Sequence, residues 1–159
     1  MIAARFSLNG LQTSILTVPG VGNFPAFSGQ KSGRNNSTLS SIVDIGPIPP
    51  GRYFIVGRHS GGRLGSIYDF YLKNFYGTDR SEWFALYGDD WQIDDSVFIE
   101  TIKRGGFRLH PIGPRGLSEG CITLTHVSDF DYLRKALLKT TMIQVQSCSF
   151  KAYGTITVS

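Results

Sequence analysis

His110-Pro-Ile-Gly-Pro-Arg-Gly-Leu-Ser-Glu-Gly-Cys121 joins a histidine to a cysteine through a segment rich in glycine and proline. Such a segment turns readily, so it can fold back and bring His110 onto Cys121. A cysteine thiol is mostly protonated at neutral pH and becomes a nucleophile only beside a base or a positive charge. The segment therefore predicts a nucleophilic Cys121 with His110 as its base. The backbone amides of Gly120 and Cys121 are predicted to stabilise an oxyanion.

The same two residues also allow a structural interpretation, in which Cys121 is a small buried apolar residue and His110 a hydrogen-bonded loop residue. The flanking residues favour the catalytic interpretation. Arg108-Leu-His-Pro111, followed by Ser118-x-Gly-Cys-Ile122, resembles the signature of the L,D-transpeptidase catalytic domain. The resemblance is closest to the L,D-transpeptidase-like toxins that type VI secretion delivers into the periplasm of rival bacteria.

Upstream segments extend this resemblance. Gly46-Pro-Ile-Pro-Pro-Gly-Arg-Tyr-Phe-Ile55 is similar to the element that opens a central strand in these enzymes. Trp83-Phe-Ala-Leu-Tyr87 and Ile93-Asp-Asp95 take the place of the aromatic segment of the toxin branch. The matching elements together cover residues from about 40 to 125, in the family order.

Two positions depart from the pattern of the larger family. Glu119 replaces the histidine of Ser-His-Gly-Cys, which agrees with the toxin branch. Thr123 replaces the arginine of Cys-x-Arg, which would clamp a substrate carboxylate. We expect Arg115 or Arg108 to take over that clamp.

The resemblance implies chemistry on the tetrapeptide stems of peptidoglycan. Cys121 would attack the carbonyl of the third stem residue and release the terminal D-alanine, with the Pro111 carbonyl holding the His110 tautomer. Water, a free D-amino acid or a second stem would then resolve the thioester, and the sequence does not choose among them. Further residues are expected around the cleft: Ser118 and Arg115 at its rim, Tyr87 and Trp91 in its wall. Neither a metal nor another cofactor is expected.

Composition predicts a mainly β protein. The chain has 159 residues, of which 41% are hydrophobic and 18% charged, and these values are typical of a globular domain. Its 19 glycines and its Thr, Ser, Ile, Val, Tyr and Phe content favour many short strands. We expect one domain over residues 1–159, a β-sandwich or partly closed barrel with one principal helix after Cys121. The resemblance implies the same fold.

Local patterns predict individual elements. Asn9-Gly10 predicts a hairpin turn, and strands are expected near 52–57, 67–72, 83–87, 142–147 and 151–158. Residues 19–41 read as a long surface loop, and residues 96–102 as a short helix-like segment capped by Asp94 or Asp95. Ser128 with Asp131 predicts the start of the principal helix.

Other functional classes fit less well. The paired aspartates 89–90 and 94–95 lack the alternate spacing of a calcium loop, and His59, His110, His126, Cys121 and Cys148 lack the spacing of a zinc site. Papain-like and NlpC/P60 peptidases place the cysteine before the histidine, the reverse of this chain. A non-catalytic wall-binding module remains open.

The net charge of +4 favours anionic partners, and peptidoglycan is rich in carboxylates. Nucleic acid is not expected, because no basic cluster is longer than Lys103-Arg104. No stretch is apolar enough for a membrane span, and the first residues do not resemble a signal peptide. The resemblance implies secretion by another route, action in the target periplasm, and an immunity protein and secretion-machine components as partners.

Overall fold

Alternating apolar residues form the strands of this protein. The structure is a computed structural model, and it describes residues 1–57, 80–90, 92–146 and 148–159. The strands are β1 (Ile2–Phe6), β2 (Ser14–Val18), β3 (Gly22–Phe27), β4 (Gly51–Gly57), β5 (Phe84–Gly88), β6 (Ser96–Ile99), β7 (Ile102–Gly105), β8 (Arg108–Pro111), β9 (Ile122–Leu124), β10 (Ile143–Gln144) and β11 (Lys151–Val158). Helix α1 spans Val127–Lys139. The predicted strand at 67–72, His59 and Trp91 lie outside the described residues.

Eight of these strands close into a barrel. Their order is β1-β2-β3-β9-β8-β5-β4-β11, and β1 completes the circle by pairing with β11. That last pairing is parallel and runs from Ile2 opposite Gly154 to Phe6 opposite Val158. The predicted mainly β architecture with one principal helix is confirmed, and the barrel is closed rather than partly open. Closure satisfies the hydrogen bonds of both terminal strands and leaves no open edge there.

The barrel interior holds the main core. Inward-facing residues of neighbouring strands pack there, including Phe6, Leu16, Tyr53, Leu86, Leu109, Ile122 and Ile156. Helix α1 follows β9 directly and adds Phe130, Leu133 and Leu137 to this core. Each such apolar side chain contributes about 1.5–3 kcal/mol on full burial, so the helix anchors the end of the strand that follows Cys121.

A second, smaller cluster covers part of the outer face. Phe54 and Val56 of β4 lie opposite Tyr87 and Ala85 of β5, and all four side chains join this cluster. The chain between β10 and β11 packs over them with Val145, Cys148 and Phe150. Outer-face side chains of β5 are therefore buried here as well.

Several local predictions are confirmed and others are wrong. The hairpin at Asn9-Gly10 forms, with Gly10 at φ +70°, and the strands near 52–57, 83–87 and 151–158 are present. The predicted loop at 19–41 contains β3, and the strand expected at 142–147 is only the short β10.

The helix-like segment at 96–102 is wrong, because β6 and β7 form an antiparallel hairpin there. Val97 is buried whereas Phe98 is 65% exposed, so the apolar run alternates as a strand does. Asp94 accepts the Ser96 amide at 2.7 Å and starts this strand instead of a helix. Helix α1 has His126 at its N-cap, two residues before the predicted capping residue Ser128. No described helix is both long and apolar enough to cross a membrane.

Candidate active site

Strands β8 and β9 bring His110 and Cys121 to the same part of the barrel wall. The two strands pair in parallel, with Leu109 opposite Ile122 and His110 opposite Thr123. Leu109 and Ile122 point into the core, so His110 and Thr123 point outward. Cys121 directly precedes β9 and is two residues from Thr123, which places it at the end of the same outward-facing row. The turn-rich segment 112–121 makes this crossover within ten residues.

The His110 ring is fixed on three sides. It is 6% exposed, and the Trp83 indole stacks on it with ring centroids 4.2 Å apart and planes inclined by 18°. His110 Nδ1 lies 2.7 Å from the Pro111 carbonyl oxygen, and Nε2 lies 3.2 Å from Thr123 Oγ1. A carbonyl only accepts, so Nδ1 carries the proton in the neutral ring and Nε2 is the nitrogen that can take up another.

Cys121 is half-buried, is not part of a disulfide, and acts electrostatically on two arginines, Arg104 and Arg108. Burial lowers the pKa of Arg104, opposed by the charges of Asp44, Tyr53 and Cys121. Burial also acts to lower the pKa of Arg108, but the hydrogen bonds and charge of Asp95, together with Cys121 and Tyr87, outweigh it and raise that pKa. Cys121 is therefore within electrostatic reach of two guanidinium groups, and both favour a thiolate.

Arg104 is a buried arginine that sequence reasoning missed. Only 4% of it is exposed, although the neighbouring Lys103 is a surface residue. Its Nη1 donates to the carbonyls of Ser40 and of Ile42, the latter at 3.1 Å. Its Nη2 donates to the Gly46 carbonyl at 3.2 Å and the Glu119 carbonyl at 3.5 Å. One side chain thus ties the loop before β4 to the segment that ends at Cys121.

The peptide groups next to Cys121 have a defined orientation. The Gly120 carbonyl accepts a hydrogen bond from the fully buried Ser28 hydroxyl at 3.2 Å. Because carbonyl and amide point in opposite directions across a trans peptide, the Cys121 amide points away from Ser28. Gly120 has φ +109°, and a Cβ there would lie 2.6 Å from Arg104 Nη2, so both conformation and space require glycine.

The predicted substrate-contacting residues fall in different environments. Ser118 is not at a rim: it is 3% exposed, and its hydroxyl donates to the Cys121 carbonyl at 2.7 Å. Arg108 holds Asp95 through two contacts of 2.6 Å. Arg115 is exposed on the segment before Cys121. Tyr87 is 7% exposed and packs edge-on against Phe150 in the outer cluster, where burial raises its pKa.

Sequence reasoning also missed Trp83 and Thr123 as neighbours of His110. The sequence singled out Thr123 only because it replaces the family arginine. The parallel register that places Thr123 beside His110 Nε2 cannot be predicted from local residue spacing. Among the described residues, no three His, Cys, Asp or Glu side chains are grouped closely enough to hold a metal ion.

Comparison with known proteins adds one finding. A family model described as the Tlde1 domain matches residues 22–148 of this chain, which include β3 through β10 and both His110 and Cys121. No curated protein matches the chain significantly.

Proposed function

Because this chain belongs to the Tlde1 domain family, an L,D-transpeptidase-like family of type VI secretion effectors that acts on peptidoglycan, we propose that it is a cysteine enzyme acting on tetrapeptide stems. Cys121 is the nucleophile and His110 the general base. The bond that breaks joins the third stem residue to the terminal D-alanine. The observation that carries the proposal is the register of β8 and β9, with a His110 ring whose Nδ1 is held by the Pro111 carbonyl.

The base assignment follows from the hydrogen bonds of the imidazole. With Nδ1–H donated to Pro111, Nε2 accepts from the Thr123 hydroxyl in the resting state. Nε2 takes the Cys121 thiol proton, and Thr123 then turns to accept from the imidazolium. The stacked Trp83 and the low exposure of the ring keep this orientation. An oriented base of this kind contributes typically 10²–10⁴-fold to rate.

The thiolate then attacks the carbonyl carbon of the third stem residue and forms a tetrahedral oxyanion. The Cys121 amide points away from Ser28 and is the donor we assign to that oxyanion. Collapse of the intermediate breaks the C–N bond, the imidazolium returns its proton to the leaving amine, and D-alanine departs. A thioester on Cys121 remains.

The second half-reaction depends on the acceptor. His110 takes a proton from water, a D-amino acid or the amine of another stem as that group attacks the thioester. The C–S bond then breaks, and the imidazolium returns the proton to the Cys121 thiolate. Water gives carboxypeptidase activity, a D-amino acid gives exchange, and a second stem gives a cross-link. We favour hydrolysis or exchange, since either one removes donor stems from the wall of a target cell.

Substrate capture falls to the cations near the thiol. Arg115 is exposed and is the residue we assign to the stem carboxylate. Arg108 is held by Asp95 in a bidentate ion pair, so its role is to stabilise the thiolate and to hold β8. Ser118 shapes the segment through its bond to the Cys121 carbonyl. We place the action of this effector in the periplasm of the target bacterium, and we expect the producing cell to make an immunity protein against it.

Mass spectrometry of purified tetrapeptide muropeptides tests the proposal. Wild type and Cys121→Ala are incubated with the substrate, with and without added D-methionine. We expect loss of D-alanine, or its replacement by D-methionine, with wild type alone. Cys148→Ala is the matched control, because Cys148 is the second of the two cysteines and packs in the outer cluster. Turnover by Cys121→Ala contradicts the mechanism, and no change with wild type favours a wall-binding module.

A further inference from the structure

A groove of about 410 Å³ opens beside the barrel, away from the catalytic pair. The start of β4, the end of β5, strand β6 and residues 37–41 line it, whereas His110 and Cys121 do not. Its volume is in the range of small-molecule binding sites, about 300–1,000 Å³. The groove is thus large enough for a ligand that the catalytic residues do not contact.

Hydroxyl groups dominate one wall of the groove. Ser37, Thr38 and Ser41 line it on a short 3-10 turn and the residues after it. Ser40 also lines the groove, and its buried hydroxyl has no hydrogen-bond partner among the described residues. The Thr38 hydroxyl donates to Asn36 Oδ1 at 2.7 Å and can still accept a hydrogen bond. This wall therefore suits a ligand that itself carries many hydroxyl or amide groups.

The opposite wall is apolar and carries an exposed aromatic ring. Val97, Phe98 and Ile99 of β6 line it, and Phe98 is 65% exposed. Lys103 Nζ lies over this ring, 6.0 Å from its centroid. The remaining exposed surface of the ring, beside hydroxyl groups, suits a flat, partly apolar ring such as a pyranose, whose C–H face packs on the aromatic ring while its edge hydroxyls bond to polar groups.

The charges of the groove disfavour an anionic ligand. Arg52 and Asp89 form an ion pair at 3.2 Å, which neutralises both. Asp90 adds a further negative charge, and its Oδ1 accepts the Gln92 amide at 3.1 Å. The charged lining residues Arg52, Asp89 and Asp90 together carry one negative charge, which disfavours a free stem carboxylate. Sugar hydroxyls and acetamido N–H groups could donate to these carboxylates.

We propose that this groove binds the sugars of the peptidoglycan glycan strand, an inference that rests on the proposed function and extends it to the substrate. The hairpin of β6 and β7 connects the two sites. Strand β6 lines the groove, and Arg104 of β7 donates to the carbonyls of Ser40 on the groove side and Glu119 on the cysteine side. A glycan seated in the groove would present its stem peptide to Cys121 across Arg104.

Calorimetry with a neutral tetrasaccharide of N-acetylglucosamine, which carries the pyranose and acetamido groups of the glycan strand but no carboxylate, tests the groove directly. We expect the tetrasaccharide to bind wild type, and Phe98→Ala to weaken binding about tenfold by removing the aromatic face. Tyr132→Ala is the matched control, since Tyr132 is an aromatic residue 58% exposed on α1, outside the groove lining. Binding that is absent, or that Phe98→Ala leaves unchanged, overturns the proposal, as does competition by the isolated tetrapeptide.

Turnover separates this proposal from the proposed function. Phe98→Ala should raise KM for glycan-linked tetrapeptide and leave the rate on isolated tetrapeptide unchanged. Equal KM values for wild type and Phe98→Ala on the glycan-linked substrate overturn the groove assignment while the cysteine chemistry stands. Tetrasaccharide binding that depends on Phe98, without turnover of either substrate, supports the groove assignment and contradicts the enzymatic function.

Discussion

Replacement of Arg104 by methionine should lower the stability of the fold and raise the pH at which the Cys121 thiol ionises. Methionine fills a similar space without the guanidinium, and it leaves the carbonyls of Ser40, Ile42, Gly46 and Glu119 without that donor. A hydrogen bond from a charged donor contributes about 1.5–3 kcal/mol, and the burial of the guanidinium offsets part of the total. We therefore expect the free energy of unfolding to fall by about 3–4 kcal/mol.

The same substitution removes one of the two cations near Cys121. The pH midpoint of Cys121 alkylation by iodoacetamide should rise by roughly half to one pH unit, the effect of one nearby charge partly screened by water. Chemical denaturation measures the loss of stability, and alkylation rates between pH 5 and pH 10 measure the thiolate at a temperature where the variant is folded.

Lys103→Met is the matched control, because it removes the neighbouring surface cation and leaves the buried one. It should change unfolding by less than about 0.5 kcal/mol, as surface substitutions usually do. If Arg104→Met unfolds like wild type and keeps its alkylation midpoint, Arg104 neither ties the two loops together nor acts on the thiol.

His110→Ala should lower the acylation rate by about 10²–10⁴-fold. His126→Ala changes an exposed residue at the N-cap of α1 and should have little effect on that rate. Equal losses for the two variants in single-turnover assays would show that the base is misassigned. Gly120→Ala should destabilise the protein by about 1–3 kcal/mol, because φ is +109° and the new Cβ meets Arg104. Gly113→Ala is the control: Gly113 has open space around it, so this variant should unfold near the wild-type midpoint. Burial raises the pKa of Tyr87 in the folded protein, whereas an unfolded tyrosine ionises at pH of about 10. The free energy of unfolding should therefore fall as pH rises above that value. Alkaline unfolding of Tyr87→Phe should show a smaller loss than wild type, and an identical profile would exclude Tyr87 as a cause.

Much of the site was accessible from short segments of sequence. His110 and Cys121 stay predictions of the sequence, and they stand out because a turn-rich spacer and a family-like pattern lie within one continuous stretch. Helix α1 was found through its 3.6-residue periodicity, since Phe130, Leu133 and Leu137 repeat at helical spacing. The segment at 96–102 was misread because a short apolar run fits a helix or a strand equally well without its pairing partner.

The sequence by itself determined the elements whose signals are local: the hairpin turn at Asn9-Gly10, the principal helix, and a histidine and cysteine joined by a spacer that turns. Tertiary structure alone decided what surrounds that pair. Trp83 reaches His110 across 27 positions, Ser28 reaches Gly120 across 92, and Arg104 is buried by carbonyls about 60 residues away. These contacts depend on the order of the strands around the barrel, which places β3, β9, β8 and β5 side by side although they are far apart in the chain. Residue type and local spacing set which conformations a segment can adopt, but the packing of distant strands selects which polar groups become buried together.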